Sequence, residues 1–103
     1  MISITLVNEE GKKFTAKQKS ITTRSMRDLM KFHATVEAVE NGEKTMSELE
    51  MIDEMIVLVA GMFTDPRVTF DAIQDGLTAD ELMPTIEDIF NNAMGGNDDS
   101  KKA

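Results

Sequence analysis

The chain has 103 residues, enough for one modest hydrophobic core and too few for two. It contains no cysteine, which excludes a disulfide framework, a thiolate zinc site and a cysteine nucleophile. The net charge of −8 disfavours general nucleic-acid binding, because phosphate contacts need a positive surface.

The N-terminal stretch MISITLVNEE lacks the basic flank, long apolar segment and cleavage site of a signal peptide. Ile2, Ile4 and Leu6 alternate there with Ser3, Thr5 and Val7. NEEGKK then turns the chain, and Phe14 and Ala16 alternate with Thr15 and Lys17. This is the period of a β-hairpin with one buried face, which two strands alone cannot shelter. The next segment, from Ile21 to Gly42, reads as a helix capped by Thr22 or Thr23 and stopped by Gly42. Met26, Leu29, Met30 and His33 share one face of it, and Phe32, Val36 and Val39 form an adjoining stripe.

TMSE predicts the start of a second helix through a capping box of Thr45 and Glu48. Leu49, Ile52, Ile56, Val59 and Phe63 form its core seam, while Met51, Met55, Leu58 and Met62 form a second stripe. The helix is either central to the domain or presents that second stripe as a docking surface. The longest apolar run, Met55 to Phe63, is too short for a membrane span, so no membrane association is expected. Asp65-Pro66 breaks the helix. A short helix over Phe70 to Gln74 is expected next, stopped by Gly76.

Thr78 and Glu81 form another capping box, opening a final helix to about Met94 with Leu82, Ile86, Ile89, Phe90 and Met94 on one face. Pro84 either kinks this helix or begins a separate one. From Gly95 onward the chain has glycines, small polar residues and charges. The expected organisation is an α+β fold, mostly α: one domain over residues 1–94, an N-terminal β-hairpin followed by a small bundle of about three to four helices, and a flexible tail or linker over 95–103.

Charge is unevenly divided. Residues 1–36 carry seven basic and three acidic residues, whereas residues 37–99 carry two basic and sixteen acidic ones. Such a dipolar chain is suited to self-association, head to tail, or to holding a partner at each end. In the first helix the basic residues come early and the acids late, against the helix macrodipole. Nine methionines add adaptable apolar surface that serves either core filling or the docking of varied partners.

The residues for catalysis are sparse. His33 is the sole histidine and lies in line with an apolar face, where a structural role is expected. Asp65, Asp71 and Asp75 do not have the spacing of a calcium loop, and neighbouring Asp53 and Glu54 diverge by about 100° around a helix. No enzyme activity, metal or cofactor is expected.

The order of parts resembles the tail assembly chaperones of long-tailed bacteriophages, notably those infecting Gram-positive hosts. The resemblance rests on the hairpin with GKKFTA, the basic first helix, ELEMIDEMIVLVAGMF ending at Phe63, and VTFDAIQDGLTADELMPTIEDIF. It implies an α-rich domain that binds and solubilises the tape measure protein, a very long helical polypeptide, and recruits tail tube subunits. It also implies a host bacterial cytoplasmic location outside the mature virion, and a longer product made by ribosomal frameshifting near the end of the reading frame. Gly95, Gly96, Lys101 and Lys102 would then form the joint to that extension. The candidate partner-binding residues are Met51, Met55, Leu58 and Met62, with Met26 and Met30. An alternative from the acidic block is a DNA mimic that inhibits a nucleic-acid-binding protein.

Overall fold

In the computed structural model, which describes residues 1–94, strands β1 (Ile2–Val7) and β2 (Lys13–Gln18) pair antiparallel, with Ile4 opposite Ala16 and Leu6 opposite Phe14. The two-residue period buries Ile2, Ile4, Leu6 and Ala16 on one face and leaves Ser3, Thr5, Lys13 and Lys17 on the other. Asn8 organises the turn: its side-chain oxygen accepts from the backbone N–H groups of Glu10 and Lys12 at 2.9 and 3.0 Å. Gly11, at φ +79°, supplies the left-handed residue that the turn requires.

Helix α1 (Thr23–Glu40) begins at Thr22, whose hydroxyl accepts from the Ser25 N–H at 3.1 Å. It ends in a Schellman motif, with Gly42 at φ +79°. The Glu43 N–H donates to the Ala38 carbonyl at 2.9 Å and the Gly42 N–H to that of Val39 at 3.1 Å. The buried face carries Leu29 and Phe32, flanked by half-buried Val36 and Val39; Met26, Met30 and His33 are exposed. The burial therefore follows the expected adjoining stripe more than the methionine line.

Helix α2 (Glu48–Met62) starts from Ser47, two residues after the expected cap. The sequence holds two overlapping cap signals, and Ser47 with Glu50 is the one used: the Ser47 N–H donates to the Glu50 carboxylate at 2.9 Å and the Glu50 N–H to the Ser47 hydroxyl at 3.1 Å. Hydrogen bonding from the Ser47 backbone N–H, and next from its hydroxyl, lowers the pKa of the Glu50 carboxyl. This start places half-buried Met46 and Met51 at the two positions of a hydrophobic staple. Ile56, Val59 and Met62 are buried, and α2 contacts α1, α3 (Phe70–Gly76) and α4 (Ala79–Ala93), so it is the central helix. Leu49, expected in its core seam, is 67% exposed because the first turn stands clear of the core.

The α2–α3 connection is tied to β2. The Gln18 side-chain oxygen accepts from the N–H and hydroxyl of Thr64, both at 3.1 Å. Asp65 accepts from the Arg67 backbone N–H at 2.9 Å and from its guanidinium at 3.0 and 2.7 Å, and that guanidinium lies 4.3 Å above the Phe14 ring. Val68 is buried beside this clamp in the core.

Gly76 ends α3 as expected, yet its φ is not left-handed and its small size has another cause. A Cβ there would lie 3.0 Å from the Leu6 Cβ and the Val7 carbonyl oxygen, so β1 can approach α3 only if the residue is glycine. Helix α4 is capped by the Glu81 carboxylate, which accepts from the Thr78 N–H at 3.0 Å. It runs through Pro84, which does not begin a separate helix; Pro84 and Asp80 are exposed, where the carbonyl left without its N–H partner can meet water. Ile86 and Ile89 complete the core with Leu6, Leu29, Val59 and Ile73.

Gly76→Ala should lower stability by about 1–3 kcal/mol in denaturant unfolding through overpacking against β1. Gly61→Ala, where an added Cβ meets nothing within 4 Å, should be neutral or stabilising by up to about 1 kcal/mol. Equal losses at both sites would contradict the close approach to β1.

Hydrogen bonds from Arg67 depress the Asp65 carboxyl from 3.8 to about 2. The folded-state value is the lower one, so the clamp's contribution is present above the unfolded value of 3.8 and is lost as pH falls toward about 2. NMR titration should find the Asp65 midpoint near that low value, and Arg67→Gln should move it upward. An unchanged midpoint in the variant would exclude the clamp.

Candidate functional site

Apolar side chains that the core leaves outside gather in two places on either side of α1. The first is a hollow of about 420 Å³ where the end of the hairpin, the start of α1 and the end of α4 converge. Met1, Ile2, Ile21, Met26, Ala93 and Met94 supply its apolar lining, with Gln18, Lys19 and Thr22 among its polar edges. Met30 lies one turn of α1 beyond Met26 and is 52% exposed. Farther along α1 the His33 ring meets Phe90 edge-on at 6.3 Å, and Phe32 meets Phe90 at 6.2 Å in a T-shaped contact. His33 is exposed and lies at the edge of this aromatic group, between Phe32 and Phe90.

The second place is a groove of about 440 Å³ between α1 and α2. Phe32, Val57, Leu58 and Gly61 form its floor, and Arg24, Lys31 and Glu54 line its sides. At one end the Ser25 hydroxyl donates to the Gly61 carbonyl at 3.1 Å, holding the start of α1 against the end of α2.

These placements separate the six partner-binding candidates. Met26 and Met30 are exposed on α1. Met51, Met55 and Leu58 are half-buried along α2, the latter two packed against the core. Met62 is only 2% exposed and belongs to the core cluster, so the expectation that it contributes to a client surface is corrected: a side chain closed over by the core has no surface to offer a partner in this fold. The joint residues Gly95, Gly96, Lys101 and Lys102 lie outside the described residues.

Exposed apolar residues also lie outside the candidate set, Leu49, Val57 and Met94 among them. Leu49 and Met94 obey the helical period but fall in terminal turns, and Val57 lies off the core seam of α2, 56% exposed. The spacing of Leu49, Asp53 and Val57, four residues apart, was the available signal for a second, solvent-facing line.

Among the described residues the only ion pair is Arg67 with Asp65. The basic residues of α1 and the acids of α2 therefore have no charge partner within 4 Å among the described residues. Among the same residues, no group of three or more His, Asp and Glu side chains is placed to hold a metal ion, and no helix is long and apolar enough to cross a membrane.

One family profile, described as phage tail chaperone protein, matches residues 1–103. The chain belongs to this family. Neither the curated proteins nor the solved structures contain a match to it.

Met62→Ala should cost about 2–5 kcal/mol in urea unfolding, as for a buried methionine. Met26→Gln with Met30→Gln should cost less than about 1 kcal/mol, since both side chains already meet water. Similar losses for the two variants would place the α1 methionines in the core and remove them as a binding surface.

Proposed function

We propose that this member of the phage tail chaperone family binds and solubilises the tape measure protein, helps recruit tail tube subunits, and does so without catalysis. It acts in the host bacterial cytoplasm and is not retained in the virion. The observation that supports this most directly is the methionine surface of the hollow and α1: Met26, Met30 and Met94 stand 37%, 52% and 45% exposed on helices that the core holds in place. A chaperone for a long amphipathic helix must accept side chains that change from turn to turn. Unbranched, polarisable methionines on a firm backbone do this with little reorganisation.

Half-buried Met51, Met55 and Leu58 give a secondary contribution, since their partial burial, for Met55 and Leu58 against the core, limits what a client can reach. The strong negative charge keeps a loaded complex soluble and discourages wrong contacts. The segment from Gly95 to Ala103, with its two glycines and its small polar and charged residues, has the composition of a joint to a frameshift-extended form.

The test is affinity capture of an N-terminally tagged chain expressed from its own gene in phage-producing cells, followed by mass spectrometry. The native sequence should recover the tape measure protein, tail tube subunits and a minor tagged product extended past Lys102. Met26→Glu with Met30→Glu should lose the tape measure protein while circular dichroism stays unchanged. Capture that survives this double substitution would overturn the surface assignment, and absence of the tape measure protein from the native capture would overturn the function.

A further inference from the structure

We infer that the outer edge of β2 docks an extended segment of another protein, one with acidic residues four apart and small or apolar residues between them. The proposal goes beyond client binding at the methionine surface and does not rest on it. The Asn8 N–H donates to the Lys12 carbonyl at 2.8 Å, and this bond sets the phase of the ladder that follows. In an antiparallel pair, hydrogen-bonded and non-bonded positions alternate. Leu6 with Phe14 and Ile4 with Ala16 are therefore bonded pairs, while Val7 with Lys13, Thr5 with Thr15 and Ser3 with Lys17 are not. The N–H and C=O groups of Lys13, Thr15 and Lys17 thus point away from β1. The 2.8 Å bond between the Thr5 and Thr15 hydroxyls agrees, because side chains approach most closely at a non-bonded pair.

Those outward groups have no hydrogen-bond partner among the described residues. The α2–α3 connection meets β2 at the side chains of Gln18 and Phe14 and gives its backbone no hydrogen bond. The other edge differs. There α3 abuts β1 so closely that a Cβ on Gly76 would lie 3.0 and 3.1 Å from the Val7 oxygen and nitrogen. An edge that is neither paired nor covered is a template for one more strand.

Charge selects that strand. From Gly11 to Thr23 the chain carries Lys12, Lys13, Lys17 and Lys19 and no acid, although its net charge is −8. Lys13 and Lys17 are exposed and form no ion pair within 4 Å among the described residues. The Glu81 carboxyl of α4, whose pKa is lowered first by its Thr78 hydrogen bonds and least by the charge of Lys13, is the acid nearest to this pattern. Two β2 strands paired antiparallel about Thr15 would oppose lysine to lysine at both ends, so the edge is guarded against a second copy. The same two lysines attract a strand that sets acids opposite them, four residues apart. Between those acids, the side chains beside half-buried Phe14 and buried Ala16 lie toward the inner face of the hairpin, where small or apolar residues belong. A single strand of about five residues covers much less than a standard interface, so docking is weak and reversible.

The test titrates a fluorescein-labelled synthetic peptide, Glu-Val-Thr-Val-Glu between short Ser-Gly flanks, with the full chain, using fluorescence anisotropy and amide hydrogen exchange by NMR. Binding should saturate. The N–H groups of Lys13, Thr15 and Lys17 should gain protection, whereas those of Phe14 and Ala16 are protected without the peptide. Lysine in place of both glutamates should weaken binding ~10-fold or more, and added salt should weaken the glutamate peptide. Lys17→Glu should weaken that peptide ~5-fold or more, and lysine at its first glutamate, which faces position 17 in antiparallel pairing, should restore affinity to within ~3-fold. Thr15→Pro should abolish binding with circular dichroism unchanged, because the N–H it removes points outward and the β1–β2 bonds remain. Should that variant unfold, Lys17→Glu at its exposed position carries the test. Absence of saturable binding, equal binding of the lysine peptide, or protection at other amides would each overturn the proposal. Protection that rises with concentration in the absence of peptide would assign the edge to a second copy and overturn it as well. None of these outcomes bears on capture of the tape measure protein through Met26 and Met30, so the two readings fail separately.

Discussion

The hairpin depends on being covered. Two strands have one face to bury and too little of their own to hold it, so Ile2, Ile4, Leu6 and Ala16 become core only because helices close over them. That requirement reaches far along the chain. Leu6 and Val7 approach the α3 backbone so closely that position 76 must lack a side chain, and Ile86 and Ile89 must then arrive from α4 to complete the layer. Helix α2 is the element that all of this packs around, which explains why it is apolar over so much of its girth. The Asp65–Arg67–Phe14 clamp and the Gln18–Thr64 bonds tie its exit back to β2.

Much of this was legible in the residues, because most of the local signals agree with the final packing. The hairpin alternation, the Thr22 and Thr78 caps and the Gly42 stop each record a backbone requirement that is met within a few residues. The misses occur where an outcome depends on distant neighbours. Thr45 and Ser47 offered equivalent cap signals, and only the placement of Met46 and Met51 distinguishes them. Leu49 fits the period of the core seam but stands on a turn that extends past the core, and periodicity carries no information on where neighbouring helices end. The split among the methionines was illegible for the same reason. Met62 and Met30 have the same chemistry, and what separates them is that one falls inside the core cluster while the other stands 52% exposed on α1.

Charge adds a different kind of information. Folding asks little of most of these charged side chains: Glu50 and Glu81 serve caps and Asp65 and Arg67 serve the clamp, while the basic stripe of α1 opposes its own helix dipole. A stripe that costs local stability and finds no ion-pair partner among the described residues is better explained by what the surface meets than by the fold beneath it.

Helix α1 therefore stands between two surfaces of different chemistry. One side carries methionines toward the α4 end, suited to apolar partners of varied shape; the other carries basic residues along the groove with α2. The difference matters for exchange. A methionine surface binds through burial, which salt does not screen, whereas a charge-matched face of modest area is weakened by salt and opens readily. Contacts of the first kind therefore persist as ionic strength rises, and contacts of the second kind loosen. Both lie on one helix, which packs on α2 and meets α4 through the Phe32 and Phe90 rings, so a shift of α1 would be felt on both sides at once.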